Sequence, residues 1–165
     1  MLIVDVDQRG NVIMNADSRR VGQTELTQQP KQEPGLIEQT GGCACHAVRF
    51  RVTAKPRRVS LCHCMTCRRM HGSAFAAFAM FARDAVEFSG PLQAWQSSPE
   101  KRRYFCPTCG SVAYMEEVGN DEVDIPLGAF DQPGLYEPTY ELWCCHKEPW
   151  LPQHVRTEYE GDRIG

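Results

Sequence analysis

The chain has 165 residues, a formal net charge of −3 and 42% hydrophobic residues. That suffices for one domain with a real core plus an appendage, and the mild acidity argues against a global attraction to nucleic acid or an anionic membrane. No apolar stretch approaches the roughly 18–20 residues that span a bilayer, and the start Met1-Leu2-Ile3-Val4 lacks the basic and long apolar parts of a secretory signal.

Leu2, Ile3, Val4 and Val6 precede Gln8-Arg9-Gly10-Asn11, and Val12, Ile13 and Met14 follow, a pattern that fits a hairpin over 2–14 or a disordered leader. Residues 15–35 are polar and carry Pro30 and Pro34, as a flexible linker does. Residues 1–35 therefore form an arm and linker, 36–155 the domain, and 156–165 a tail. Val48, Phe50 and Val52 alternate with Arg49, Arg51 and Thr53, the period of a half-buried strand. Phe75, Phe78 and Phe81 recur every third residue, so 74–82 fits either a helix or a buried strand. Further strands are predicted at 92–97, 102–105, 111–117, 123–129 and 139–146, between turns such as Gly90-Pro91 and Gly119-Asn120-Asp121. The predicted class is mainly β, with a short helical turn after Cys67.

Seven of the nine cysteines fall into tight groups: Cys43/Cys45, Cys62/Cys64/Cys67 and Cys106/Cys109. With an odd cysteine count and no signal peptide, this spacing points to reduced, metal-bound thiols in the cytoplasm. On an extended strand, i and i+2 share a face, so Cys43 and Cys45, or Cys62 and Cys64, can serve one ion. Cys106 and Cys109 need a turn, which Pro107 and Gly110 suit. Sequence proximity would join Cys43/Cys45 to the 62–67 group. Chemistry suggests a closed zinc site of Cys43, Cys45, Cys106 and Cys109, with Cys62, Cys64 and Cys67 as an open three-thiolate cup. Arg68 and Arg69 follow the cup and either hold ligand carboxylates or are solvated cations.

Gly41-Gly42-Cys43-Ala44-Cys45, Cys62-His63-Cys64-Met65-Thr66-Cys67-Arg68-Arg69 and Tyr104-Phe105-Cys106-Pro107-Thr108-Cys109-Gly110 resemble, in order, the motifs of the glutathione-dependent formaldehyde-activating family. Leu127-Gly128-Ala129-Phe130-Asp131 and Lys147-Glu148-Pro149-Trp150 resemble its later landmarks. The resemblance implies a zinc-bound β-tent of antiparallel sheets, zinc-ribbon-like, with two zinc ions per chain partitioned four plus three. It implies carbon–sulfur lyase chemistry that joins glutathione to formaldehyde, with Cys62, Cys64 and Cys67 at the active site. Small-molecule partners are expected, without nucleic acid or membrane, and a homo-oligomer is compatible. The chain departs from the family at His46, where Gly is usual, at Glu141, where His is common, and at Cys144 and Cys145.

His63 would face away from the cup on a strand. His71, His146 and His154 are each able to shuttle a proton. Asp131 fits a turn, Trp150 a core position, and Lys101-Arg102-Arg103 a solvated strand edge or a carboxylate site. Cys144 and Cys145 would face opposite sides of a strand. The rival reading is a non-catalytic zinc-ribbon module or glutathione carrier, with His63, Cys144 or Cys145 closing the second metal site.

Overall fold

Branched and aromatic residues set at period two, broken every few residues by glycine and proline, build many short strands and little helix. The computed structural model describes residues 38–153, 155 and 157–163. The expected hairpin and linker, and His154, lie outside the described residues. The elements in chain order are β1 (Gln39–Gly42), β2 (Arg49–Val52), β3 (Arg58–Cys62), helix α1 (Met65–His71), β4 (Ala76–Ala82), β5 (Val86–Ser89), β6 (Gln93–Gln96), β7 (Lys101–Phe105), β8 (Val112–Glu117), β9 (Glu122–Pro126), β10 (Tyr140–Leu142) and β11 (Thr157–Glu158). The chain is mainly β, as its sequence predicts. Short 3-10 turns lie at Arg83–Ala85, Leu127–Ala129 and Cys144–His146.

One sheet runs β1-β2-β5 and the other β11-β10-β3-β4-β9-β8-β7-β6. Pairing is antiparallel except at β10, which runs parallel to both β3 and β11. Cross-strand register assigns each face of the large sheet. Val59 pairs with Ala79, Ala79 with Ile125, and Phe81 with Val123. These residues form the main core with Phe50, Val52 and Val86 of the small sheet. Phe81 and Ile125 are fully buried there, each worth about 1.5–3 kcal/mol of apolar burial. At Gly41 a Cβ would collide with the Phe50 ring of the neighbouring strand and the carbonyl of Ala129 in the turn after β9.

The opposite face carries a second cluster of Cys62, Cys67, Ala76, Phe78, Met80 and Tyr140, covered in part by α1. The run 74–82 resolves as strand β4. Phe78 faces the second cluster and Phe81 the main core, so two buried faces on one strand produced the helix-like spacing of phenylalanines. The strand predicted at 139–146 is confined to Tyr140–Leu142. It stops because Trp143 takes a left-handed conformation (φ 58°) and Cys144–His146 turns as a 3-10 helix. Cys144 and Cys145 therefore lie on a turn, not on opposite faces of a strand. Trp150 is 70% exposed and packs into no core, contrary to its expected place.

Candidate metal centres

Two turns bring the first cysteine group together. After β1 the chain folds back so that Cys43 N–H donates to Val48 O and His46 N–H to Cys43 O, both at 3.0 Å. Cys43 and Cys45 thus sit on a turn rather than the expected extended strand. His46 occupies the left-handed region (φ 62°) in this turn, where glycine would be free of Cβ strain. Between β7 and β8, Gly110 N–H donates to Cys106 O at 2.9 Å, and Gly110 adopts φ 74°, as Cys106-Pro107-Thr108-Cys109-Gly110 predicts. Ala44 N–H donates to Ser111 Oγ at 3.2 Å and ties the two turns together.

The sulfurs of Cys43, Cys45, Cys106 and Cys109 lie within 4.8 Å of one another. Cys43 Sγ stands 3.5 Å from Cys45 Sγ, and Cys45 Sγ 3.8 Å from Cys106 Sγ. Around tetrahedral zinc, bonds of about 2.3 Å set sulfurs about 3.8 Å apart, so the four fit such an ion. Ser111, through its hydroxyl and backbone N–H, pulls Cys109 down to about 5. Cys45 is pushed up to about 12: the Ala47 backbone N–H pulls it down, and hydrogen bonding with Cys43 and Cys109 outweighs that.

The second group is built at a strand-to-helix junction. Cys62 ends β3, Cys64 caps α1 by accepting the Cys67 N–H at 3.3 Å, and Cys67 is buried inside the helix. The helix begins before Cys67, not after it, and the cup forms from one turn rather than from strand alternation. Its sulfurs also lie within 4.8 Å of one another, and no other His, Cys, Asp or Glu of the described residues joins the group. Hydrogen bonds from the Cys62 and Cys67 side chains, helped by the Cys67 backbone N–H and the Arg103 charge, hold Cys64 at about 2. Cys67 is pushed up to about 11, because its bond with Cys64 and burial outweigh its bond with Cys62 and the Arg103 charge. Here too the donor set fits a cation.

His63 points away from the cup, as expected. It is fully buried, and its Nε2 lies 2.8 Å from Glu141 Oε2. Lys147 Nζ stands 2.8 Å from the same carboxylate and 2.7 Å from Glu158. Glu141, which departs from the family pattern, therefore joins His63 to Lys147. Cys144 groups with His63 and Glu141 rather than with the cup. Trp143 stacks on His146 at 6.0 Å and donates to Asp162 Oδ1 at 2.9 Å.

Arg68 donates to His146 O at 2.6 Å and pairs with Glu148, while Arg69 is exposed on α1. Arg103 is not part of a solvated edge. It is 3% exposed, and its Nη1 donates to Cys67 Sγ at 3.7 Å. The basic run alone did not single it out; strand alternation separates it from Arg102, and only the pairing of β7 shows which face is inward. Asp131 accepts from Thr40 Oγ1 at 2.6 Å and from Arg49, so it fastens a turn as expected.

A cavity of about 560 Å³ lies beside α1, lined by His46, His71, Ser73, Phe75, Ser111 and Asp131 among others. His71 Nε2 is buried without a hydrogen-bond partner. Burial, and after it the Arg103 charge, keeps the His71 imidazole below its usual range. A second cavity of about 620 Å³, lined by Arg58, Met80, Lys101, Asp124, Tyr140 and Arg163 among others, opens on the sheet face that carries the cup.

An uncharacterized lyase of Schizosaccharomyces pombe is 32% identical over 110 residues, 67% of this chain and 80% of that protein. A Rhodobacter sphaeroides protein of known crystal structure is 22% identical with a TM-score of 0.47, over 56% of this chain and 87% of that one. Residues 38–146 match the family model described as glutathione-dependent formaldehyde-activating enzyme, a stretch that begins just before β1 and ends at the turn after β10. With that match spanning all seven clustered cysteines, the chain belongs to the glutathione-dependent formaldehyde-activating enzyme family.

Proposed function

We propose that this chain is a carbon–sulfur lyase that joins a thiol such as glutathione to formaldehyde or a related small aldehyde, using two zinc ions. Cys43, Cys45, Cys106 and Cys109 would hold a closed structural ion, and Cys62, Cys64 and Cys67 an open one. The carrying observation is a cup of three converging sulfurs with no fourth protein donor among the described residues. A zinc ion bound there would supply Lewis acidity, favouring loss of a thiol proton or polarising a carbonyl.

The remaining chemistry falls to the chain's own groups. Adding a thiol to formaldehyde forms one C–S bond and moves one proton from sulfur to oxygen. His71 Nε2, buried without a partner and held neutral, is the group proposed to carry that proton. Arg69 is free to meet a substrate carboxylate on the helix surface, whereas Arg68 does so only by releasing Glu148. The module reading needs a fourth ligand, but Glu141 engages His63 and Cys144 stands outside the cup. All nine cysteines are free of disulfides, and no helix of the described residues is long and apolar enough to cross a membrane. Both support a reducing, cytoplasmic setting, in which the chain acts alone or as a homo-oligomer.

Metal analysis of the full chain is expected to give two zinc ions, with Cys64→Ser losing one and keeping the fold. Formaldehyde–glutathione exchange, followed by NMR line broadening, should be accelerated by the wild type and not by Cys64→Ser. His71→Asn should keep both ions and slow the exchange. Exchange by the wild type no faster than in buffer would refute the lyase reading.

A further inference from the structure

The most buried arginine of the described residues lies against sulfur rather than a carboxylate. Arg49, Arg51, Arg57, Arg58, Arg68 and Arg102 each meet an aspartate or glutamate. Arg103 meets none within ion-pair distance among the described residues. Its Nε donates to Ser97 Oγ at 3.0 Å, and its Nη1 to Cys67 Sγ at 3.7 Å. A guanidinium stays ionised, and taking it out of water is costly unless an anion lies beside it. The Arg103 charge acts on Cys64 and Cys67 of the cup, with Cys67 Sγ at hydrogen-bonding distance, and on the Asp124 carboxyl farther off.

Strand register places Arg103 on this face. It pairs with Met115, Met115 with Asp124, and Asp124 with Met80. Met80 belongs to the cluster around Cys62 and Cys67. Arg102 points the other way, toward Glu116 and Gln96.

We propose that Arg103 is a positioning residue for the metal cup: its guanidinium fixes Cys67 Sγ through a hydrogen bond and balances the charge of the loaded site. The proposal rests on the reading of Cys62, Cys64 and Cys67 as a metal site. A divalent cation held by three thiolates leaves one negative charge over. A fixed cation at hydrogen-bonding distance favours that loaded form, and its N–H draws electron density from Cys67. Ser97 holds the guanidinium in place.

Zinc-loaded full chain is challenged with a colorimetric chelator. Wild type should release its two ions in separate steps, the cup first. In Arg103→Met the cup should bind zinc about 10- to 100-fold more weakly, with release from the four-cysteine site unchanged. Arg103→Lys keeps the charge but not the planar fork, and should recover part of the loss. Ser97→Ala should weaken the cup about 2- to 10-fold, the equivalent of one hydrogen bond. With cobalt(II) in the cup, the sulfur-to-metal charge-transfer band should move to lower energy in Arg103→Met, a shift that a purely structural role would not produce. Unchanged cup affinity and an unmoved band in folded Arg103→Met overturn the proposal. Where that variant does not fold, the same result in both Arg103→Lys and Ser97→Ala overturns it. A wild-type chain that takes up only one zinc overturns the cup itself, and the metal count reveals this before any variant is made.

Discussion

Asp124 and Arg103 stand on the same sheet face, and burial treats them differently. Arg103 keeps its charge against sulfur. Asp124 forms no ion pair among the described residues, and burial lifts its carboxyl to about 6 although the charges of Lys101, Arg58 and Arg103 pull it down. Because this pKa lies above the unfolded value, the folded state loses stability relative to the unfolded chain as pH rises from about 4 to 6. At roughly 1.4 kcal/mol per pH unit the penalty above pH 6 reaches about 3 kcal/mol. Asp124→Asn should therefore match wild-type stability near pH 4 and exceed it by about 1–3 kcal/mol at pH 8, measured by chemical denaturation at both pH values. At this scale the cysteine clusters were legible because tight spacing marks candidate ligands in the sequence itself. Arg103 and Glu141 were not, since both acquire meaning from strands paired far along the chain.

Helix α1 is held from outside more than by its own length. Seven residues sustain few internal hydrogen bonds. Cys64 caps the start, and Gly72 closes the end in a left-handed turn (φ 57°) with its N–H on Arg68 O. Arg68 then fastens the helix to His146 and Glu148. Arg68→Ala should cost about 1–2 kcal/mol in a thermal melt, and should hasten zinc loss from the cup more than from the four-cysteine site. Equal loss from both sites would show that the tether does not serve the cup. Strands with alternating branched residues were readable, including β2, β7 and β8. β1 was not, because its Gly41-Gly42 pair lacks strand-forming side chains and is selected by close approach to Phe50 and Ala129. The 74–82 run was ambiguous because a strand buried on both faces has no polar alternation.

Across the whole molecule the two cysteine groups belong to different cores. Cys43 and Cys106 sit in the core between the sheets, while Cys62 and Cys67 sit beneath α1 on the far face. The first group joins the β1–β2 turn to the β7–β8 turn. A structural zinc held there would contribute about 10–16 kcal/mol of apparent folding energy, comparable with the roughly 5–15 kcal/mol that keeps a domain folded. Cys106→Ser should therefore abolish the cooperative far-UV transition, in contrast to Cys64→Ser. A folded Cys106→Ser chain that still holds two ions would overturn this partition. The mainly β class could be read from composition and pattern, whereas spacing left the cysteine grouping open, because the closeness of Cys43 and Cys45 to Cys106 and Cys109 arises only when distant turns meet. The parallel placement of β10 could not be read, because it depends on a return path between Phe130 and Tyr140 that carries no periodic signal.

The indoles are placed so that light reports on one region more than another. Trp150 lies largely and Trp95 about half in water, the main core has no tryptophan, and Trp143 packs against the second cluster. Trp143, clamped between His146 and Asp162 behind the cup, is the chromophore best sited to sense that region, so emission changes on emptying the cup can be followed without an attached dye, while loss of the main core will pass with a weaker optical signature.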